Sequence, residues 1–246
     1  MNKEEVVRLV GARSWFHGFE IAPGIVSPGR VKVDARAALD YYGVPQSLSG
    51  VRALDIGARD GPYSFELERR GAEVLALDIE DPDRTGFNVA KSIRGSSVEY
   101  LRGSVYDIRR ETVGGFGIVF FLGVYYHLRN PLLAFSRIWE VLKDDGTVYF
   151  EGAVLDYAYN VESRLREKAG LLRQIAALPV ALFNAGEYDS DISNWFIPTR
   201  ACLLDWLSGT GFKDATLLDP PNVQFSRAAG SARKDPTYFQ PDHNTL

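Results

Sequence analysis

From residue 51 onward, short apolar runs alternate with longer segments in which apolar residues recur at helical spacing. The runs predict strands at 51–56, 73–79, 98–101, 117–122, 147–152 and 215–218, with a weaker one at 226–233. The longer segments predict helices between Pro62 and Gly71 and at 131–142, 161–178 and 198–208. Strands that alternate with helices are typical of a mostly parallel sheet, so the pattern predicts an α/β fold.

The regions outside this alternation predict the domain organisation. Residues 1–44 hold two short predicted helices, at 3–10 and 33–42, and are interpreted as an N-terminal cap segment. Residues 45–246 form the main predicted domain. Within it, 156–195 is too long for a simple connection, so we interpret it as a lid-like insertion that shapes a binding site.

Composition argues against several classes of protein. The single cysteine, Cys202, allows no internal disulfide, which favours a cytoplasmic location. No apolar run approaches the ~20 residues of a membrane span and no signal-peptide core is seen, so we expect no membrane association. A net charge of −4 argues against broad capture of nucleic acid, although a local basic patch stays open. No cysteine cluster, H-x-x-x-H pair or G-x-S-x-G motif occurs, so we expect neither a metal site nor a serine hydrolase.

The loop after the first predicted strand, LDIGARDG at 54–61, has the form of a nucleotide-binding turn. Gly57 lets the chain turn sharply where a ligand approaches, and the following helix directs free N–H groups at that ligand. The glycines are spaced G-x-x-x-G, however, and Arg59 occupies the second glycine position of the dinucleotide fingerprint G-x-G-x-x-G. Arg59 and the negative charge of Asp60 therefore argue against NAD or FAD.

Asp78 ends the second predicted strand, about 20 residues after Gly57, where an acidic side chain can bind both hydroxyls of a ribose. A ligand with a ribose and no pyrophosphate fits both features. S-adenosylmethionine is such a ligand, since it joins an adenosine to a zwitterionic amino-acid tail. We expect Asp55 and the backbone of Gly57 to face that tail.

Three blocks of the sequence carry a family resemblance: LDIGARDGPYSFELERRGAEVLALDIE, VFFLGVYYHLRNPLLAFSRIWEVLKDDGTVYFE and NWFIPTRACLLDWLSGTGF. The first resembles the cofactor motif of class I S-adenosylmethionine-dependent methyltransferases. Together they resemble a narrower group, the tRNA wobble-uridine carboxymethyltransferases and their uncharacterised relatives. The resemblance covers roughly residues 50–218. It implies a Rossmann-like, seven-stranded, mostly parallel sheet with the last strand antiparallel and helices on both faces.

The resemblance also implies a set of cofactor-binding residues, which lie on the glycine loop and after the second, third and fourth strands. They are Asp55, Gly57, Ala58, Gly61, Asp78, Ile79, Ser104, Val105, Leu122 and Gly123. Ser104 and Val105 are expected beside the adenine.

Members of the narrower group bind carboxy-S-adenosylmethionine and hold its extra carboxylate with a lysine, a tyrosine and an arginine. The tyrosine matches Tyr126 and the arginine matches Arg227, while His17 stands in the place of the lysine. Histidine is mostly neutral at pH 7 and is a poorer partner for a carboxylate than lysine. The family's long N-terminal region also has no counterpart ahead of the first strand. Plain S-adenosylmethionine is therefore the expected cofactor.

Candidate catalytic residues follow the fourth predicted strand, because α/β sheets bind ligands at the C-terminal ends of their strands. Tyr126 is expected near the sulfonium, and His127 is a candidate general base for an acceptor that must lose a proton. The candidate substrate-binding residues are aromatic, polar or charged: Trp15, His17, Glu151, Asn194, Trp195 and Arg227. Each has a purely structural alternative, such as a packed ring or a hydrogen-bonded loop residue.

Three hypotheses of function follow. The first is a methyltransferase that acts on oxygen or nitrogen of a small metabolite or sugar-like acceptor. The second is a tRNA wobble-uridine-modifying enzyme that uses the carboxylated cofactor. The third is a binding or regulatory module that keeps the fold but has lost the chemistry; it would bind the cofactor without acceptor turnover, or not bind the cofactor at all. Neither the acceptor nor the oligomeric state is predicted.

Overall fold

Seven strands form the central sheet of the chain, whose computed structural model describes residues 1–156, 158, 163–188, 190–218 and 226–238. In chain order they are β1 (Arg52–Ile56), β2 (Glu73–Asp78), β3 (Glu99–Arg102), β4 (Phe116–Leu122), β5 (Leu142–Ala153), β6 (Phe212–Leu218) and β7 (Arg227–Lys234). Across the sheet the order is β3-β2-β1-β4-β5-β7-β6. β1, β2 and β3 pair in parallel, whereas β7 pairs antiparallel with both β5 and β6. The predicted α/β class and the antiparallel last strand are thus confirmed.

The described helices are α1 (Lys3–Gly11), α2 (Ala35–Tyr41), α3 (Pro62–Arg69), α4 (Phe87–Arg94), α5 (Arg110–Val113), α6 (Pro131–Val141), α7 (Ala169–Ile175) and α8 (Arg200–Gly209). Short 3₁₀ helices span Tyr125–His127 and Ser163–Lys168. Short ladders pair His17–Gly18 with Val31–Lys32, Glu20–Ala22 with Ile25–Val26, and Ala181–Phe183 with Phe196–Pro198. Within the described residues, no helix is both long and apolar enough to cross a bilayer.

The structure differs from the sequence-based prediction at several elements, of which three are instructive. Helix α4 was not predicted; its buried residues are Phe87 and Ala90, which make a weak periodic signal. The helix predicted at 161–178 is a 3₁₀ helix followed by α7, and residues 161 and 162 lie outside the described residues. Strand β5 begins at Leu142 rather than after the KDDG segment, because Leu142 already has extended backbone angles (φ −70°, ψ 141°).

The described chain divides into two compact units. Unit 1 comprises Met1–Asp107 and Phe116–Phe120, and unit 2 comprises Ile108–Gly115 and Phe121–Leu246. In unit 1, β1 and β2 are almost entirely buried and α3 packs against them. The rings of Phe65 in α3 and Phe87 in α4 lie 5.3 Å apart in this core.

The core of unit 2 fixes the segment that follows β4. Tyr125 is fully buried, and its hydroxyl donates to the Ala153 carbonyl at 2.9 Å. Its ring lies against Gly152, where an added Cβ would come within 2.5 Å of a ring atom. A glycine is therefore required at this point of β5 for the close approach. Tyr125 thereby fixes the start of the 3₁₀ helix that continues through Tyr126 and His127.

Candidate functional site

The loop from β1 to α3 has the backbone of a ligand-binding turn. Gly57 and Gly61 have φ values of 79° and 85°, which glycine adopts without strain. The N–H of Gly57 donates to the Leu77 carbonyl of β2 at 2.8 Å, which holds the turn at the edge of the strands. Helix α3 begins at Pro62, and no side chain of the described residues caps its N-terminus. That end is therefore suited to an anionic group such as a carboxylate.

Asp78 is half-buried at the end of β2, as predicted. Its carboxylate accepts hydrogen bonds from the N–H groups of Arg59 and Glu80, both at 2.9 Å. These bonds orient the group and leave acceptor capacity, since an ionised carboxylate has about four acceptor positions. The next residue, Ile79, is 69% exposed and presents an apolar side chain. The pair has the chemistry that a ribose and an adjoining base require.

Asp55 lies beneath this loop. Its side chain is 2% exposed and accepts a hydrogen bond from the Ser64 hydroxyl of α3 at 2.5 Å. Burial raises the pKa of Asp55 to about 6, although the bond from Ser64 acts in the opposite direction. Asp55 thus joins β1 to α3, and its predicted role beside the ligand tail stays a prediction.

Asp60 does not present a free negative charge beside the glycine loop, as its place in the sequence had suggested. It is 1% exposed and accepts from the N–H groups of Phe16 (2.9 Å), His17 (2.8 Å) and Gly86 (2.9 Å). Burial alone would raise the pKa of Asp60, but the hydrogen bonds from His17 and Gly86 hold it below its usual range. Its charge is thus surrounded by donors of unit 1, so it adds no argument against a dinucleotide.

The predicted residues of the N-terminal segment lie around Asp60. His17 Nδ1 is 3.3 Å from the Asp60 carboxylate. The Trp15 indole donates to the Val10 carbonyl at 2.8 Å, and its ring covers Gly86 so closely that a Cβ there would come within 2.1 Å of it. A cleft of about 340 Å³ in unit 1 is lined by Ser14, Trp15, Phe16, Arg30, Arg59, Asp60, Glu80, Arg84 and Thr85.

The remaining predicted cofactor residues lie after β3 and β4. In unit 1 the Ser104 hydroxyl accepts from the Tyr106 N–H at 3.2 Å, and Val105 is buried. In unit 2 Gly123, with φ of 73°, follows Leu122 and donates its N–H to the Glu151 carbonyl at 2.9 Å. These positions agree with strand ends, and the ligand contacts stay predictions. Ala58 is buried in the glycine loop.

In unit 2 the structure brings Tyr126, Glu151 and Arg227 together. The Arg227 guanidinium makes two hydrogen bonds to the Glu151 carboxylate, one through Nε and one through Nη2 at 2.9 Å. Nη2 also donates to the Tyr126 hydroxyl at 3.0 Å, and the guanidinium carbon lies 5.1 Å from the centre of that ring. Burial alone would lower the pKa of Arg227, but Glu151 raises it well above its ordinary value. The arginine is therefore charged and paired.

His127 lies beside this cluster, with its ring centre 4.2 Å from that of Tyr126. Its Nδ1 is 2.9 Å from the Ser193 hydroxyl. Burial lowers the pKa of His127 and Arg227 adds to the decrease, while the charge of Asp191 and the backbone of Ser193 oppose it. The imidazole is consequently neutral at pH 7 and is available to take up a proton.

Asn194 and Trp195 join the cluster through the chain that ends the predicted insertion. The Trp195 N–H donates to the Tyr126 carbonyl at 2.7 Å, and Arg129 lies over the Trp195 ring at 4.5 Å. Asn194 is buried and donates to the Tyr188 carbonyl at 2.8 Å. Its Oδ1 is buried and has no hydrogen-bond partner among the described residues. A polar ligand group would satisfy that oxygen.

A family model described as a methyltransferase domain matches residues 54–150, which include the glycine loop, Asp78 and the segment after β4. Over these residues the chain is therefore similar to a methyltransferase domain. The tRNA U34 carboxymethyltransferase of Desulforapulum autotrophicum is 26% identical over 180 residues, which cover 73% of this chain and 50% of that protein. The chain spans about half the length of the curated relatives of this kind that it matches.

Solved structures agree with the methyltransferase fold. The N-terminal domain of EvdMO1, determined in the presence of SAH (S-adenosylhomocysteine) and D-fucose, superposes with a TM-score of 0.66 at 20% identity, covering 95% of this chain and 97% of that one. The 1,6-didemethyltoxoflavin-N1-methyltransferase of Burkholderia thailandensis, with bound 1,6-didemethyltoxoflavin and S-adenosylhomocysteine, has a TM-score of 0.55 at 17% identity, covering 81% of this chain and 76% of that one.

The residues of the methyltransferase domain fit its cofactor. Asp78 keeps acceptor capacity for hydroxyls, and the uncapped N-terminus of α3 suits the carboxylate of an amino-acid tail. Sequence reasoning missed the partners of Asp60 and Ser193, because they are remote in the chain, and with Ser193 it missed the neighbouring Asp191. The DG pair before Pro62 and the polar run DSDISN were the available signals.

Proposed function

We propose that the chain transfers the methyl group of S-adenosylmethionine to an oxygen or nitrogen of a small-molecule acceptor. Both solved neighbours have names that include a small molecule beside S-adenosylhomocysteine, namely D-fucose and 1,6-didemethyltoxoflavin. The curated relatives favour the second candidate, modification of a tRNA uridine with the carboxylated cofactor. The two candidates differ in whether the site must receive an additional carboxylate.

The ion pair of Arg227 with Glu151 is the observation that favours methyl transfer from the plain cofactor over use of the carboxylated one. A carboxylated cofactor needs a free cation, and Arg227 is the arginine that the resemblance assigns to it. Here Nε and Nη2 of the guanidinium donate to Glu151, and Nη2 also donates to the Tyr126 hydroxyl. A second carboxylate at this point would have to compete with Glu151 for the guanidinium, at the cost of placing two carboxylates side by side. His17, in the place of the lysine, is beside Asp60 instead.

Each group of the chain then has a defined part in methyl transfer. When bound, S-adenosylmethionine supplies an electrophilic methyl group on a sulfonium. Asp78 would hold its ribose hydroxyls through the acceptor positions that the two backbone bonds leave open. The Arg227 guanidinium lies over the Tyr126 ring and donates to its hydroxyl, and Glu151 fixes Arg227 through two hydrogen bonds. Alignment in such a site accounts for most of the catalysis of an in-line displacement.

Calorimetric titration of S-adenosylmethionine and carboxy-S-adenosylmethionine into wild type and Glu151→Gln tests this proposal. We expect wild type to bind the plain cofactor at least about tenfold more tightly, a difference of ~1.4 kcal/mol. In Glu151→Gln the repulsive charge is gone and Arg227 is released. The preference for the plain cofactor should therefore shrink by about tenfold or more.

Glu140→Gln is the matched control, since Glu140 in α6 pairs with Arg137 at 2.9 Å through the same kind of contact. It should leave both affinities unchanged. Tighter binding of the carboxylated cofactor by wild type would contradict the proposal and make tRNA the first acceptor to test. Absence of binding by either cofactor would instead favour a module without this chemistry.

A further inference from the structure

The strongest unassigned feature is a chain of hydrogen bonds that begins at His127. Ser193 Oγ lies 2.9 Å from His127 Nδ1 and 2.5 Å from Asp191 Oδ1. The Ser193 N–H also donates to Asp191 Oδ1, at 2.7 Å. Asp191 and Ser193 thus form a compact turn that presents one hydroxyl to the histidine.

The direction of these bonds determines the tautomer of the ring. An ionised aspartate accepts hydrogen bonds and does not donate them. The single hydroxyl proton of Ser193 therefore points to Asp191, and the oxygen is left as an acceptor toward His127. Nδ1 must then carry the ring proton, which leaves the lone pair on Nε2. No described residue is hydrogen-bonded to Nε2.

The turn is held firmly enough to impose this orientation. Tyr188 and Asp191 exchange two backbone hydrogen bonds of 3.1 Å, and Asn194 donates to the Tyr188 carbonyl at 2.8 Å. Directly after it, the Trp195 N–H is bonded to the carbonyl of Tyr126, the neighbour of His127. The serine and the imidazole are therefore fixed to each other through both backbone and side chain.

The charged surroundings favour a neutral ring that gains a proton only during reaction. Asp191 and Arg227 are the charged groups that act on His127, and the Tyr126 ring packs against it. Burial and Arg227 disfavour the imidazolium at rest, whereas Asp191, reached through Ser193, stabilises it once it forms.

We infer that Ser193 and Asp191 are positioning residues that hold His127 as the Nδ1–H tautomer, so that Nε2 serves as general base for a hydroxyl acceptor. This inference rests on the proposed methyl transfer. The acceptor O–H proton passes to Nε2 while the oxygen lone pair forms the bond to the methyl carbon. The carbon–sulfur bond breaks and its electron pair stays on sulfur, so the positive charge moves from the sulfonium to the imidazolium. An amine that is already neutral would not need such a base.

Nitrogen-15 NMR of the histidine side chains tests the inference without any acceptor. The sequence has three histidines, so the spectrum is simple, and His127→Asn identifies the signal. In the wild type at pH 7.5 we expect His127 to be protonated at Nδ1 and not at Nε2. In Ser193→Ala the Nε2–H form, which predominates in free histidine, should become the major one, and Ser193→Thr should restore the Nδ1–H form.

Ser208→Ala is the matched control, because Ser208 is an exposed serine of α8 that donates to the Asp205 carbonyl. It should leave the His127 signal unchanged. An Nε2–H tautomer in the wild type, or an Nδ1–H tautomer that persists in Ser193→Ala, would overturn the inference. Because the measurement needs no cofactor, its failure is distinguishable from a failure of the calorimetric test of methyl transfer.

Discussion

At the scale of single residues, Asp55 is a buried ionisable group of unit 1 whose pKa departs clearly from its ordinary value. Its carboxyl is enclosed between β1 and α3, with the Ser64 hydroxyl as its hydrogen-bond donor. Burial raises the pKa of Asp55 to about 6, so the folded protein holds a proton there that the unfolded chain releases at lower pH. The contribution of Asp55 to stability therefore decreases as the pH rises through about 6.

Asp55→Asn should remove this pH dependence, because the amide stays neutral and its oxygen still accepts from Ser64. Between pH 4 and pH 7.5 the free energy of unfolding of the variant should rise relative to wild type by on the order of 2–3 kcal/mol. Urea unfolding at the two pH values measures the difference. Asp205→Asn, at an exposed position of α8, is the control. Parallel pH curves for wild type and Asp55→Asn would contradict the prediction.

At the scale of elements, Asp60 fastens the N-terminal segment to the glycine loop within unit 1. Its carboxylate takes N–H groups from the strand at His17–Gly18, from the residue before it, and from Gly86 just ahead of α4. The one carboxylate thus provides a hydrogen-bond acceptor for three backbone N–H groups. The loop predicted to hold the cofactor is thereby joined to the segment predicted to cover it.

Asp60→Asn should loosen this attachment, because an amide has one acceptor oxygen and turns an N–H₂ group toward donors. We expect a loss of about 1–3 kcal/mol of stability. Since hydrogen bonds hold the pKa of Asp60 low, its stabilising effect is complete above about pH 4 and is lost below it. Because the N-terminal segment is attached less firmly in the variant, trypsin should cut it faster than wild type at Arg13 and Arg30 at neutral pH.

Asp34→Asn is a matched control for that experiment, because Asp34 caps α2 by accepting from the Ala37 N–H and asparagine caps equally well. Its proteolysis should follow that of wild type. Equal cleavage rates in Asp60→Asn and wild type would mean that the N-terminal segment is held by its packing, such as Trp15 on Gly86, and not by the carboxylate.

The segment predicted as a lid, 156–195, remains a prediction at this scale. Its described part contains α7 and the strand Ala181–Phe183, which pairs with Phe196–Pro198. Its last residues supply the Asp191–Ser193 turn to His127. The inferred positioning residues thus belong to the insertion, which gives it a chemical part in addition to any covering one.

At the scale of the whole molecule, the sheet order determines which strand ends carry the functional residues. β1 and β2 end in the glycine loop and Asp78 of unit 1, while β4 and β5 lead to Tyr126 and Glu151 of unit 2. β7 brings Arg227 opposite Ala153, two residues from Glu151, through its antiparallel pairing with β5. The antiparallel last strand is therefore what makes the Arg227–Glu151 pair possible.

Binding of S-adenosylhomocysteine should stabilise the folded chain as a whole. At a concentration of a hundred times its dissociation constant, a ligand adds roughly 2.7 kcal/mol. For a chain of this length that is a rise in melting temperature of about 5–10 °C. NAD, whose pyrophosphate requires the glycine that Arg59 replaces, should give no rise. A shift with NAD and none with S-adenosylhomocysteine would contradict the cofactor assignment.

The sequence by itself determined the elements and the cofactor motif. Alternating apolar runs specify strands and helices through local periodicity, and the G-x-x-x-G loop and Asp78 lie at fixed distances from those elements. Weak local signals failed: α4 has two buried residues, and the start of β5 depends on the backbone of Leu142.

Only the tertiary structure decided which hydrogen-bonding groups of the candidate site are paired with one another. Asp60 with Phe16, Ser193 with His127, and Arg227 with Glu151 are separated by 44, 66 and 76 residues in the chain. Periodicity describes what each segment buries, whereas these pairings depend on which strand ends and loops the folded backbone brings together. A hydrogen bond is satisfied by whichever donor lies within about 3 Å, and the local sequence does not contain that information.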